Sequence, residues 1–155
     1  MTHPTIGEKA PDISLPRDGS EMVNLSDFAG KKVVLYFYPK DDTPGCTKEA
    51  IGFTESVADF AALDTVILGV SKDSVKKHDK FIAKHDLKIA LLSDEDGDVC
   101  ERYGTWVEKN MYGKTYMGIE RATYLIDAEG KIAQVWRKVR VPGHVDAVLD
   151  AVRAL

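Results

Sequence analysis

The segment that most constrains the fold is Lys32-Val33-Val34-Leu35-Tyr36-Phe37-Tyr38, a β-branched and aromatic run without polar alternation. Such a run suits a strand covered on both faces, so it belongs at the centre of a sheet with structure packed above and below it. It leads directly into Pro39-Lys40-Asp41-Asp42-Thr43-Pro44-Gly45-Cys46. There Thr43 reads as a helix N-cap, Pro44 as the first helical residue, Gly45 as the second and Cys46 as the third.

The remaining pattern alternates. Ile13–Pro16 and Met22–Leu25 flank an Asp-Gly turn and predict a hairpin, and a short helical turn follows at residues 26–29. Ala50, Phe53, Val57, Phe60 and Ala61 recur at steps of three and four, predicting one amphipathic helix from Pro44 to about Leu63. Strand (66–70), helix (75–85) and strand (89–92) come next, then a helix over 97–103. A hairpin of 122–126 with 132–136 and a closing helix over 145–155 complete the chain. No repeat or linker divides the 155 residues, so a single domain over 1–155 is expected, of α/β class with a mixed central sheet flanked by helices.

Cys46 falls where a capping box would carry an acidic residue, at the third helical position. A thiolate there meets unpaired backbone N–H groups and the positive end of the helix dipole. Its pKa is therefore expected below the ~8.5 of a free cysteine. Gly45, without a Cβ, leaves room for a substrate to approach those amides. The alternative is an inert buried cysteine packed as a small hydrophobe. The Thr-Pro-Gly context favours the reactive reading.

Pro39-x-x-x-Thr43-x-x-Cys46 after an aromatic strand resembles the active-site signature of peroxiredoxins. The fuller string Phe37-Tyr38-Pro39-Lys40…Thr43-Pro44-Gly45-Cys46-Thr47-x-Glu49-Ala50 is similar to their bacterioferritin comigratory protein, or peroxiredoxin Q, branch. Leu92–Gly97, Gly113–Tyr116, Gly118-Ile119-x-Arg121 and Leu125–Asp127 extend that resemblance over most of the chain. It implies a thioredoxin-like fold with an N-terminal β-hairpin extension. It also implies a thiol-dependent peroxidase that reduces hydrogen peroxide and organic hydroperoxides through a sulfenic acid, without metal, haem, flavin or other cofactor.

On this resemblance Cys46 is the peroxidatic nucleophile, and Thr43 exchanges hydrogen bonds with sulfur and peroxide. Pro39 shields the sulfur from water, and Arg121 aims its guanidinium at the site. A fixed cation favours thiolate and stabilises charge on a departing oxygen. Many members of the branch carry a resolving cysteine five residues after the peroxidatic one or on the following helix. Here position 51 is Ile51 and the predicted 75–85 helix has no cysteine. Cys100, the other cysteine, reads as a semi-buried structural residue in preference to a resolving one, since a disulfide needs Cα atoms within ~7 Å. One-cysteine turnover follows, with thioredoxin, glutaredoxin or glutathione as reductant. A redox sensor or holdase using the same cysteine is the alternative.

Other features narrow the partners. The net charge of −4 supplies no general attraction to nucleic acid or an anionic membrane. No apolar run approaches the ~20 residues of a spanning helix, and the N-terminus lacks a secretory pattern. A cytoplasmic address and a monomer or weak homodimer are expected. His3, His78, His85 and His144 show no metal-ligand spacing and no catalytic context, and Asp94-Glu95-Asp96 reads as a solvated turn.

Overall fold

The computed structural model describes residues 3–155. In chain order it contains β1 (Ser14–Pro16), β2 (Met22–Asn24), a 3-10 turn (Leu25–Phe28), β3 (Lys32–Phe37), α1 (Pro44–Glu55) and α2 (Val57–Ala61). There follow β4 (Thr65–Ser71), α3 (Val75–His85), β5 (Ala90–Ser93), α4 (Val99–Arg102), β6 (Trp106–Met111) and β7 (Lys114–Ile119). The chain closes with β8 (Ala122–Ile126), β9 (Ile132–Trp136) and α5 (His144–Arg153).

The central sheet has the order β5-β4-β3-β8-β9, with β3 in the middle as its apolar run predicts. β3 pairs parallel to β4 and antiparallel to β8, which makes the sheet mixed. Side chains alternate across it. Val33, Leu35 and Phe37 enter one core with Leu68, Val70, Tyr103 and Tyr124, while Val34, Tyr36 and Tyr38 enter another with Phe53, Phe60, Phe81 and Val148. Cys46 belongs to the second core and Cys100 to the first, so the sheet lies between the two thiols.

Two elements differ from the sequence expectation. The helix expected from Pro44 to about Leu63 is interrupted at Ser56 (φ −100°, ψ 5°), yet the apolar stripe runs through the break, with the Phe53 and Phe60 rings packed at a tilt, 6.0 Å apart. Periodicity alone could not reveal it. The β6–β7 hairpin was not expected at all, because its side chains are mostly exposed and show no buried alternation. Its two-residue turn sets Tyr112 (φ 53°) and Gly113 (φ 77°) both in the left-handed region, where the usual first residue is Asn, Asp or Gly.

Candidate active site

Strand direction assembles the site. β8 runs antiparallel to β3 with Ala122 opposite Phe37, so the residue before β8, Arg121, stands where the chain leaves β3. The bond from Val139 N–H to the Arg121 carbonyl (3.0 Å) fixes its backbone. From β3 the chain turns through residues 38–43 and enters α1, with Pro44, Gly45 and Cys46 in the first three helical positions and Thr43 extended at the cap (φ −92°, ψ 155°). The Thr43 hydroxyl does not cap, however. It donates to the Lys40 carbonyl (2.9 Å), which leaves the amides of the first turn without a side-chain acceptor.

Arg121 joins the two sides. Its Nη2 donates to Cys46 Sγ (3.2 Å) and its Nη1 to Glu49 Oε1 (2.6 Å). Cys46 is 1% exposed and Glu49 fully buried, three residues apart on one face of α1. One guanidinium thus serves a thiol sulfur and a carboxylate, in a fork that a lysine could not reproduce. Burial raises the Glu49 pKa to about 7 against the opposing pull of Arg121. Its second oxygen and the Tyr36 hydroxyl are buried side-chain atoms without hydrogen-bond partners among the described residues.

Gly45 makes room for a different group from the one expected. A Cβ there would lie 3.2 Å from Arg121 Nη2, so the missing side chain makes room for the guanidinium itself. Pro39 is exposed on the connecting loop. Lys109, on β6, supplies a second cation near the site, and burial together with the Arg121 charge pushes its pKa below the ordinary lysine value. His144 packs edge-on against Phe53 and Trp136 and shares a 2.7 Å hydrogen bond with Thr123. Burial, and after it Arg121, pushes its pKa down to about 4.

The structure places Arg121 against Cys46 and Gly45, with Thr43 at the start of the same helix, and places Cys100 apart from them. The Cys100 thiol is fully buried beneath the opposite face of the sheet, and burial, followed by the Asp94 charge, pushes its pKa up. Ile51 is half-buried against the Cys46 core. Asp94 is no solvated turn residue: it is buried, accepts from the Val99 and Cys100 amides (3.2 and 2.8 Å) and pairs with Lys72 (3.3 Å). Sequence reasoning assigned Glu49 no role, although its position one turn after Cys46 offered a signal. Lys109 offered none.

The family model described as AhpC/TSA matches residues 6–135. Peroxiredoxin Bcp of Bacillus subtilis is 53% identical over 148 residues, covering 96% of this chain and 94% of the relative. Peroxiredoxin Bcp of Escherichia coli K12 is 46% identical, covering 93% and 92%. A structure of Xanthomonas campestris peroxiredoxin Q superposes with a TM-score of 0.90 at 46% identity, covering 96% of this chain and 97% of that one. Another, of the bacterioferritin comigratory protein from the same organism, comes from work on its alkyl peroxide reduction activity and gives a TM-score of 0.90 at 45% identity, covering 97% and 98%.

Proposed function

Since the chain belongs to the AhpC/TSA family and is a thiol-dependent peroxidase of thioredoxin-like fold, we propose that Cys46 is its peroxidatic residue and that turnover uses this one cysteine. The Cys46 thiolate attacks one oxygen of a hydroperoxide. The S–O bond forms as the O–O bond breaks, and the departing oxygen takes up a proton to leave as water or an alcohol. Arg121 stabilises the charge developing on that oxygen, because its guanidinium already contacts Sγ. The first-turn amides of α1 add further donors. Thr43 turns its hydroxyl from the Lys40 carbonyl to the bound peroxide, and Pro39 keeps water from the sulfur.

The resulting sulfenic acid is reduced by an external thiol of the thioredoxin, glutaredoxin or glutathione kind. In support, Ile51 stands where a nearby cysteine would be needed and Cys100 packs across the sheet. Two buried free thiols suit a reducing compartment, and we assign the protein to the cytoplasm. The single observation that carries the reading is the Arg121 fork between Cys46 and Glu49.

Intact mass after one equivalent of hydroperoxide, with and without a sulfenic-acid trap, tests it. Gain of one oxygen, captured by the trap and abolished in Cys46→Ser but retained in Cys100→Ser, is expected. Loss of two hydrogens within one chain would make Cys100 the resolving residue, and unchanged mass with reduced Cys46 would end the assignment.

A further inference from the structure

The loop that carries the site is tied to α3 by a buried acid–base pair with no part in the peroxide chemistry above. Asp41, in the turn between β3 and α1, places Oδ2 2.6 Å from His78 Nδ1, and His78 Nε2 lies 2.9 Å from the Leu92 carbonyl. The other carboxylate oxygen of Asp41 accepts from the Tyr38 hydroxyl (2.5 Å). The Asp41 amide donates to Asp73 Oδ2 (2.8 Å), which also accepts from Ser71 (2.7 Å). β5 thus meets the pair directly through Leu92, β4 through Ser71 and Asp73, and the end of β3 through the following residue, Tyr38. His78 is fully buried.

The donors can be counted. Leu92 offers only a carbonyl, so Nε2 must carry a proton. Nδ1 faces a carboxylate, so a second proton must lie between Nδ1 and Oδ2. The closed loop therefore requires a charged imidazole against a carboxylate, and loss of either ring proton sets a nitrogen lone pair against an oxygen, that of Asp41 at 2.6 Å or of Leu92 at 2.9 Å. Burial works against the charged ring, yet the Asp41 hydrogen bond and charge, the Leu92 carbonyl and Asp73 together raise the His78 pKa. A crevice of about 480 Å³ between loop and helix is lined by Asp41 and Asp73, together with Lys40, Lys77, Lys80 and Lys84, so it reaches the carboxylate side of the pair. Asp42, which also lines it, holds a left-handed position (φ 59°) and contacts Lys84 and His85 of the same helix (2.7 and 3.0 Å).

A hydroperoxide is small, but a thiol that reduces a 1%-exposed Cys46 must bring its own sulfur in line with the oxidised one. The loop and first turn of α1 have to open for it. We infer that Asp41 and His78 form a proton-dependent latch, positioning residues that hold the peroxide-reactive loop closed and whose deprotonation frees Cys46 for the reductant. The inference rests on Cys46 being the oxidised residue. In the open loop His78 returns to an ordinary value near 6.5. With the closed-state pKa raised above that, the latch is fully engaged below about pH 6.5 and is lost as pH rises through the closed-state value.

The test compares wild type with His78→Gln, which cannot titrate, and with Asp41→Asn, which keeps an acceptor for Tyr38 but loses the charge. Preformed sulfenic acid is mixed with 2-nitro-5-thiobenzoate, whose thiolate attacks the sulfur, forms the S–S bond and expels hydroxide, which takes up a proton as water. The variant-to-wild-type rate ratio at each pH cancels the pH dependence of the thiol chemistry. A ratio several-fold above 1 near pH 6, falling toward 1 as pH rises through the raised closed-state value, is expected. Oxidation by hydroperoxide should slow in the same variants. A ratio of 1 throughout, or one that does not change with pH, overturns the latch.

Amide exchange on reduced protein gives a readout independent of catalysis. Protection should fall over residues 39–47 in both variants while β3 and β4 keep theirs. Loss across β3 and β4 as well would mean that His78 is merely structural. Should Cys46→Ser still be oxidised by peroxide, the catalytic assignment fails while the exchange result continues to judge the latch.

Discussion

Arg121 is a single cation shared by two acceptors, and that sharing makes its geometry more valuable than its charge. A lysine would bring the charge without the fork, and could reach Cys46 Sγ or Glu49 Oε1 but not both in the present directions. Arg121→Lys should therefore lower the rate of Cys46 oxidation about 100-fold, the scale of losing one oriented donor at a developing oxyanion. Glu49 acts through Arg121 and not on the substrate. Glu49→Gln keeps an acceptor for Nη1 and should lose less than about tenfold, whereas Glu49→Ala leaves the guanidinium unanchored and should approach the arginine variant. Stopped-flow oxidation under pseudo-first-order peroxide checks the ranking. Equal losses in Gln and Ala would show that the hydrogen bond does not orient Arg121.

At the scale of the element, the first turn of α1 places two demands on one residue. Alanine at position 45 would favour the helix by up to about 1 kcal/mol over glycine. The same methyl would press on Arg121 Nη2 at 3.2 Å and force the guanidinium away by a few tenths of an ångström. Gly45→Ala should thus keep or raise the melting temperature while slowing Cys46 oxidation about tenfold, a pairing that a general packing defect would not produce. This turn was legible in the sequence because Thr43, Pro44 and the preceding apolar run are local signals, and β8 and β9 were equally plain from their apolar runs around an Asp-x-x-Gly turn. What escaped was of two kinds. The break at Ser56 and the turn at Tyr112 are backbone choices that leave the hydrophobic pattern unchanged. The Asp41–His78 contact and the Lys109 position join residues far apart in the chain, 37 residues in the first case, and only the tertiary fold brings them together.

Across the whole molecule, two buried groups close to Arg121 set opposing acid responses. His144 starts α5, and burial, followed by the Arg121 charge, pushes its pKa down to about 4. The native protein refuses a proton that the unfolded chain accepts below about pH 6.5, so this part of the stability is present above that pH and lost as pH falls toward 4. Glu49 does the reverse. Its native pKa of about 7 exceeds the ordinary value of 4.5, so its part is present in acid and lost as pH rises through 7. Between about pH 6.5 and 5 each contributes a change of roughly 1.5 kcal/mol, of opposite sign, at 1.36 kcal/mol per unit. Urea unfolding of the wild type should therefore vary little over that range from these two groups. His144→Gln, which can still bond Thr123, should become more stable toward pH 5 relative to its value at 6.5. Glu49→Gln should become less stable, and the double variant should again be flat. Single variants that track the wild type would place the titrating groups elsewhere. A double variant that departs from flatness would reveal further titrating groups, whereas a wild-type profile that differs from the sum of the two single-variant changes would measure how strongly Glu49 and His144 communicate through the guanidinium between them.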